Sequence, residues 1–124
     1  MIVTDLNTLV ESADFITCHV PFTPETKHMF NTERFARMKP TAYLVNTSRG
    51  EIIDEKALYE ALKGGTLAGA ALDVYEVEPP TDKMLLGLPN IVCTPHVGAQ
   101  TKEAQELAST VIAEKIIQIL RGVI

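Results

Sequence analysis

The sequence predicts an α/β protein built on a parallel sheet, and three observations carry that expectation. Short, largely apolar runs recur at 14–20 (DFITCHV), 42–47 (AYLVNT), 67–74 (LAGAALDV) and 90–95 (NIVCTP), bounded by proline or glycine. The runs are nearly continuous in their hydrophobicity, as strands covered on both faces are. The stretches between them have helical spacing, and that alternation is the order of parallel strands joined by right-handed crossovers.

Each element has its own local reason. LNTLVESA reads as an opening helix with Leu6, Leu9 and Val10 turned inward. NTERFARMKP reads as a short helix begun by Asn31 and ended before Pro40, because the residue preceding a proline disfavours the helical region. DEKALYEALKGG supplies Asp54 as N-cap, Ala57, Leu58, Ala61 and Leu62 as one apolar face, and Gly64 or Gly65 as the stop. From Thr101 a long amphipathic helix is expected, with Leu107, Ala108, Val111, Ile112, Lys115, Ile116, Ile119 and Leu120 along its stripe and Gly122 at its end. No internal repeat or low-complexity linker interrupts the order.

Composition narrows the function classes. A chain of 124 residues is the size of one domain and buries roughly two thirds of the surface its unfolded form exposes. With 46% hydrophobic and 22% charged residues it is ordinary globular material, not a disordered segment. A net charge of −5 offers no electrostatic footprint for nucleic acid or an anionic membrane. No apolar run reaches the roughly 18 residues a membrane span needs, and the start MIVTDLNTLVESADF lacks a basic and then apolar leader, so a cytoplasmic protein is expected. Cys18 and Cys93 lie in apolar runs and read as reduced core residues, without a disulfide or metal role.

In open α/β sheets ligands bind outside the carboxyl ends of the strands. The residues that follow each apolar run therefore form one set: His19, Val20 and Pro21; Thr47, Ser48, Arg49 and Gly50; Asp73 and Glu78; Pro95, His96, Val97 and Gly98. The chemistry they suit is proton transfer on an anionic substrate. Arg49 offers a planar fork of donors able to clamp a carboxylate. His96 exchanges a proton near neutral pH, and a carboxylate such as Glu78 would orient its ring. Asp73, ending a strand, suits an amide donor or a cationic ring. Each also has a plainer reading. Arg49 reads as a turn residue paired with Glu51, Glu78 as a solvated acid in YEVEPPTDK, and His96 as a cap for the Thr101 helix. His19 reads as a satisfied core histidine and His28 as a surface residue.

The stretches VNTSRGEIIDEKALYEALKGGTLAGAALDVYEVEP and NIVCTPHVGAQTKEA, preceded by DFITCHVPFTPETKHMFN, resemble the linked signatures of the D-isomer-specific 2-hydroxyacid dehydrogenases. The similarity runs from about Leu6 to the end, and the wording is nearest to phosphoglycerate and glyoxylate or hydroxypyruvate reductase-like members. The resemblance implies a Rossmann (doubly wound) NAD-binding domain in three layers, of which residues 1–124 would be the parallel-sheet second half, with the long C-terminal helix. It implies that Arg49 binds the substrate carboxylate, that Glu78 pairs with the catalytic histidine, and that His96 is that histidine. It implies further that Asp73 lies beside the nicotinamide carboxamide. Val20 and Pro21, Thr47 and Ser48, and Gly98 and Ala99 match positions whose backbone lies along the dinucleotide. The implied cofactor is NAD, with NADP equally compatible, and the implied substrate a 2-hydroxy or 2-keto acid.

One part of that pattern is missing. The glycines stand at 50, 64, 65, 69, 87, 98 and 122, so no G-x-G-x-x-G is present. The expectation is that these residues hold the catalytic groups without the pyrophosphate cradle. They would then bind the cofactor weakly or not at all, and turn over nothing by themselves. The strand at 14–20 would become an exposed edge, apolar on both faces, which favours a homodimer or larger assembly. Two function classes follow: a fragment of an NAD-dependent oxidoreductase, or a non-catalytic module that oligomerises or completes a partner. A flavodoxin-like or receiver domain fits the alternation but leaves Arg49, Glu78 and His96 without a role.

Overall fold

A computed structural model describes residues 3–122. The elements run α1 (Leu6–Ser12), β1 (Phe15–Cys18), α2 (Thr32–Arg37), β2 (Tyr43–Asn46), a 3-10 turn (Gly50–Ile52), α3 (Glu55–Lys63), β3 (Gly69–Leu72), α4 (Lys83–Leu86), β4 (Ile91–Cys93) and α5 (Lys102–Leu120). The four strands form one parallel sheet in the order β1-β2-β3-β4, so each crossover moves the chain one strand across and all strands point the same way.

Local chemistry starts every helix in the same manner: a side-chain oxygen accepts an otherwise orphaned backbone N–H. Asp5 does this for Thr8, Asn31 for Arg34, Asp54 for Ala57, Asp82 for Met84 and Leu85, and Thr101 for Ala104. Gly64 ends α3 as its C-cap, and Gly65 beyond it takes φ +71°, a left-handed conformation that glycine adopts without cost. Helix α4 went unread in the sequence, because four residues cannot display a periodicity; Asp82 and Gly87 at its two ends were its visible signs.

The register sorts the strand side chains by face. Ile16, Leu44 and Ala70 stand in one row, and Cys18, Asn46 and Leu72 in the next, all buried beneath the helices. Phe30, Phe35, Ile52, Ile53, Leu58, Leu62, Leu67 and Leu85 complete that core. The apolar face of α3 is as the spacing required, with Ala57, Leu58, Ala61 and Leu62 buried. In α1 only Val10 is fully buried; Leu6 is partly covered, and Leu9, one residue off the inward row, is exposed rather than inward.

The opposite face of the sheet is open. Phe15, Tyr43 and Val92 are exposed there, with Phe15 stacked on Tyr43 at 5.4 Å between ring centroids. The Tyr43 ring lies across Gly69, where a Cβ would stand 2.8 Å from it. The doubly wound class is the one expected, but among the described residues the layers number two, helices and sheet, and not three. The physical reason is that successive right-handed crossovers in one direction keep to one face. β1 is an edge as expected, though its outward side carries Phe15 and the polar Thr17 and is not apolar throughout. Helix α5 has no buried residue, and Leu107, Val111, Ile112, Ile116, Ile119 and Leu120 are exposed along it.

Candidate active site

The carboxyl ends of the strands open onto a common rim. A cavity of about 300 Å³ is lined there by Arg49, Gly50, Glu51, Val74, Tyr75, Glu76, Glu78 and His96. A guanidinium, a carboxylate and an imidazole from three stretches of the chain thus border one space. A second cavity, about 560 Å³, is lined by His19, Val20, Pro21, Phe22, Thr47, Ser48 and Arg49. Arg49 is the wall between them. On the far side of His96 a third concavity is bordered by Glu78, Pro79, Pro95, His96, Ala99 and Gln100.

The Arg49 turn is shaped by Asn46, which ends β2 fully buried. Its amide donates to the Arg49 carbonyl at 2.8 Å, and its carbonyl oxygen accepts from the Ser48 N–H at 3.0 Å and the Ser48 hydroxyl at 2.9 Å. A buried amide satisfied on both sides in this way fixes the turn, since leaving either group unpaired costs about 1–3 kcal/mol. Gly50 then passes so close to the next crossover that a Cβ there would overlap the Tyr75 carbonyl and stand 2.6 Å from the Glu76 nitrogen. Arg49 itself is exposed and donates to the Ser48 carbonyl at 2.6 Å; Glu51 is not its partner, and among the described residues no carboxylate pairs with it.

Glu78 and His96 are joined, Nδ1 to Oε2, at 2.7 Å. The other Glu78 oxygen accepts from the Tyr75 N–H at 3.1 Å. The bond to His96 comes first, and that N–H second, in holding the Glu78 carboxyl below its usual range. With Nδ1 engaged, Nε2 is the nitrogen left to take or give a proton. His96 has φ +54°, a conformation few side chains adopt, and its carbonyl accepts from the Gln100 amide at 3.2 Å. It does not cap α5; Thr101 does that for itself.

Asp73 is buried at the end of β3, and its carboxylate anchors the following loop. Oδ1 accepts from the Thr94 hydroxyl at 2.6 Å and the Val97 N–H at 2.9 Å, while Oδ2 accepts from the Gly98 N–H at 2.9 Å. The Thr94 hydroxyl is the largest cause of its lowered pKa. Oδ2 keeps one acceptor position for a further donor. Asp73, buried, and Gly98, exposed, line neither of the Arg49 cavities; Val20, Pro21, Thr47 and Ser48 line the second of them, and Ala99 the concavity beyond His96.

His19 differs from its reading as a core histidine, whereas His28 lies at the surface with its side chain 37% exposed. His19 is exposed, with Nε2 2.9 Å from the Thr17 hydroxyl, because the strand has already ended and its neighbours face outward. His28 is half-buried at φ +47° and its Nε2 meets Glu76 Oε2 at 3.1 Å. Asn46 and Glu76 were not singled out from the sequence, and Gly50 stood there as a rim residue without its contact to Tyr75. Of the first two, only Asn46 left a sign there, as a lone amide ending an apolar run where side-chain-to-backbone turns form. Cys18 and Cys93 are free thiols, and burial pushes that of Cys18 up to about 11.

A parallel α/β domain that gathers a cation, a carboxylate and an imidazole at the carboxyl ends of its strands is a nucleotide-type domain with acid/base groups on its rim. Residues 1–98 match the family model described as D-isomer specific 2-hydroxyacid dehydrogenase, NAD binding domain, and the chain belongs to that family. It is 56% identical over 98% of its length to D-3-phosphoglycerate dehydrogenase of Methanocaldococcus jannaschii, and 50% identical over 94% to hydroxypyruvate reductase of Thermotoga maritima. It spans 23% and 39% of those relatives' lengths. Among solved structures, the NAD-complexed D-isomer specific 2-hydroxyacid dehydrogenase of Lactobacillus delbrueckii ssp. bulgaricus superposes with a TM-score of 0.87 at 32% identity, over 96% of this chain and 40% of that one. A glyoxylate reductase from Paecilomyes thermophila gives 0.89 at 33%, over 93% and 35%. Among the described residues no helix is long and apolar enough to cross a membrane.

Proposed function

We propose that these residues carry the substrate clamp and the acid/base pair of an NAD-dependent oxidoreductase that interconverts a D-2-hydroxy acid and a 2-keto acid. The observation that supports it is the single cavity bordered by Arg49, Glu78 and His96, with Glu78 and His96 already bonded at 2.7 Å. Arg49 holds the substrate carboxylate in two places, which fixes the reacting carbon beside His96. His96 takes the hydroxyl proton at Nε2, and Glu78 stabilises the resulting cation through Nδ1. NAD, when bound, supplies the acceptor for the hydride that leaves the same carbon.

The residues fit such a cofactor on one side. The second cavity is walled by Val20, Pro21, Thr47 and Ser48, and the free acceptor position on Asp73 Oδ2 suits a carboxamide N–H. The other side would come from a glycine-rich cradle outside these 124 residues, so turnover belongs to a complete enzyme and cofactor binding here is weak. Titration of NADH into the chain by calorimetry tests this. A dissociation constant tighter than about a millimolar, near 4 kcal/mol of binding, carries the reading. Oxamate, a carboxylate beside an amide carbonyl, should bind to the wild type and lose its binding in Arg49→Ala. No heat with either ligand would leave a non-catalytic module, which the open sheet face favours. On either reading copies of the chain associate to cover that face, and a cytoplasmic setting suits the two free thiols.

A further inference from the structure

We infer that Glu76 is a positioning residue that locks the Glu78 turn to the Arg49 turn, so that clamp and acid/base pair move as one unit. This rests on the dehydrogenase reading above. Three segments meet at Glu76, one following each of β1, β2 and β3. Its Oε1 accepts from the Glu55 N–H at 2.8 Å, while Glu55 Oε1 accepts from the Glu76 N–H at 2.7 Å. The first turn of α3 and the loop after β3 are therefore held by a reciprocal pair of carboxylate-to-amide bonds, each charge-assisted. Glu76 Oε2 meets His28 Nε2, and the His28 N–H donates to the Glu51 carbonyl at 2.8 Å. The segment after β1 is tied to the same pair of turns.

Two features make this more than a surface ion pair. The backbones already touch at Gly50 and Tyr75, so the bonds made by Glu76 act beside a contact that has no room for slack. Glu76 also lines the cavity with Arg49, Glu78 and His96, two residues along the chain from Glu78. Burial pushes the Glu55 carboxyl upward, partly offset by the Glu76 N–H it accepts. The groups facing this assembly are His28, Glu55, Glu51 and Arg49, with Asp82 acting on Glu55 and with Asp73 and His96 acting on Glu78.

Carbon-detected NMR titration of the Glu78 carboxyl in the full chain tests the assignment, because it reads the Glu78 to His96 bond and not global stability. Glu76→Ala should move the Glu78 midpoint up toward the ordinary carboxylate range and speed hydrogen exchange at the Tyr75 N–H. Glu76→Gln, which can still accept from Glu55 and meet His28, should restore the low midpoint. An unchanged midpoint in folded Glu76→Ala, or a Gln variant that behaves like Ala, overturns the inference. Should Glu76→Ala fail to fold, Glu55→Ala decides, since it removes the carboxylate that accepts from the Glu76 N–H; a raised Glu78 midpoint supports the lock and an unmoved one refutes it. The wild-type NADH and oxamate titrations are separate, so a lock without ligand binding would sink the dehydrogenase reading alone.

Discussion

The two faces of the sheet are made from alternate residues of the same strands, yet they live in different solvents. Ile16, Leu44 and Leu72 point into a closed core, while Phe15, Tyr43 and Val92 stand in water on the other side. Nothing in β-propensity separates the two sets; what separates them is where the crossovers go. Parallel strands that read as continuously apolar are asking for cover on both faces. The described residues provide it on one. The rim that gathers Arg49, Glu78 and His96 lies at the carboxyl ends of those same strands.

The largest expected effect breaks the covered face. Leu44 is fully buried, and Leu44→Ala should cost about 2–5 kcal/mol in urea unfolding, the transfer term plus a residual cavity. Val92→Ser, on the exposed face two strands away, should stay within about 0.5 kcal/mol. Equal costs would mean that the open face is in fact covered, and the comparison would fail. Next comes the contact between turns. Gly50→Ala forces a methyl into the Tyr75 carbonyl, and backbone cannot step aside as a side chain can. A loss of about 1–3 kcal/mol is expected, of the size overpacking produces, together with a weakening of oxamate binding that Leu44→Ala at permissive temperature does not share.

The same contrast explains what could be read from the sequence. Helix α3 was legible almost residue for residue, because a cap at Asp54, an apolar face and a stop at Gly64 are all local. Arg49, Glu78 and His96 were legible as a set for a different reason: parallel strands deliver their next residues to one edge whatever the details. Glu76 was not, since it acts through partners fixed by tertiary geometry, 21 residues away at Glu55 and 48 at His28; Gly50 was legible as a rim residue but not as the backbone contact with Tyr75, and Asn46, whose partners Ser48 and Arg49 are local, was not read as the residue that shapes the turn. His19 was misread because the strand ends at Cys18, and Leu9 because it stands one residue off the inward row marked by Val10, which spacing alone does not resolve. The open face was the hardest to see. An apolar run records that a face wants cover and does not say whether the chain supplies it.

Acid should separate the rim from the core by a smaller margin. The Asp73 carboxyl is held below its ordinary value, chiefly by the Thr94 hydroxyl, so its contribution is complete above that value and is lost as pH falls through the depressed folded one. Unfolding free energy should therefore decline as acid is added below the ordinary carboxylate range. Asp73→Asn should flatten that decline, and a slope that survives the substitution would assign it to other groups.

The smallest effect on stability should accompany a large one on assembly. Phe15 is 74% exposed at the edge strand, Val92 67%, and the α5 side chain Ile116 52%, so replacing each by serine removes apolar surface that the single chain leaves in water. Burial of such surface against another copy is worth about 25 cal/mol per Å², and an unfolding midpoint of the monomer does not register it. Val92→Ser combined with Ile116→Ser should leave that midpoint unmoved while shifting sedimentation equilibrium toward monomer. A wild-type chain already monomeric at tens of micromolar would remove the assembly proposal. The Arg49, Glu78 and His96 rim would stand as it is, because each of its bonds lies within one copy.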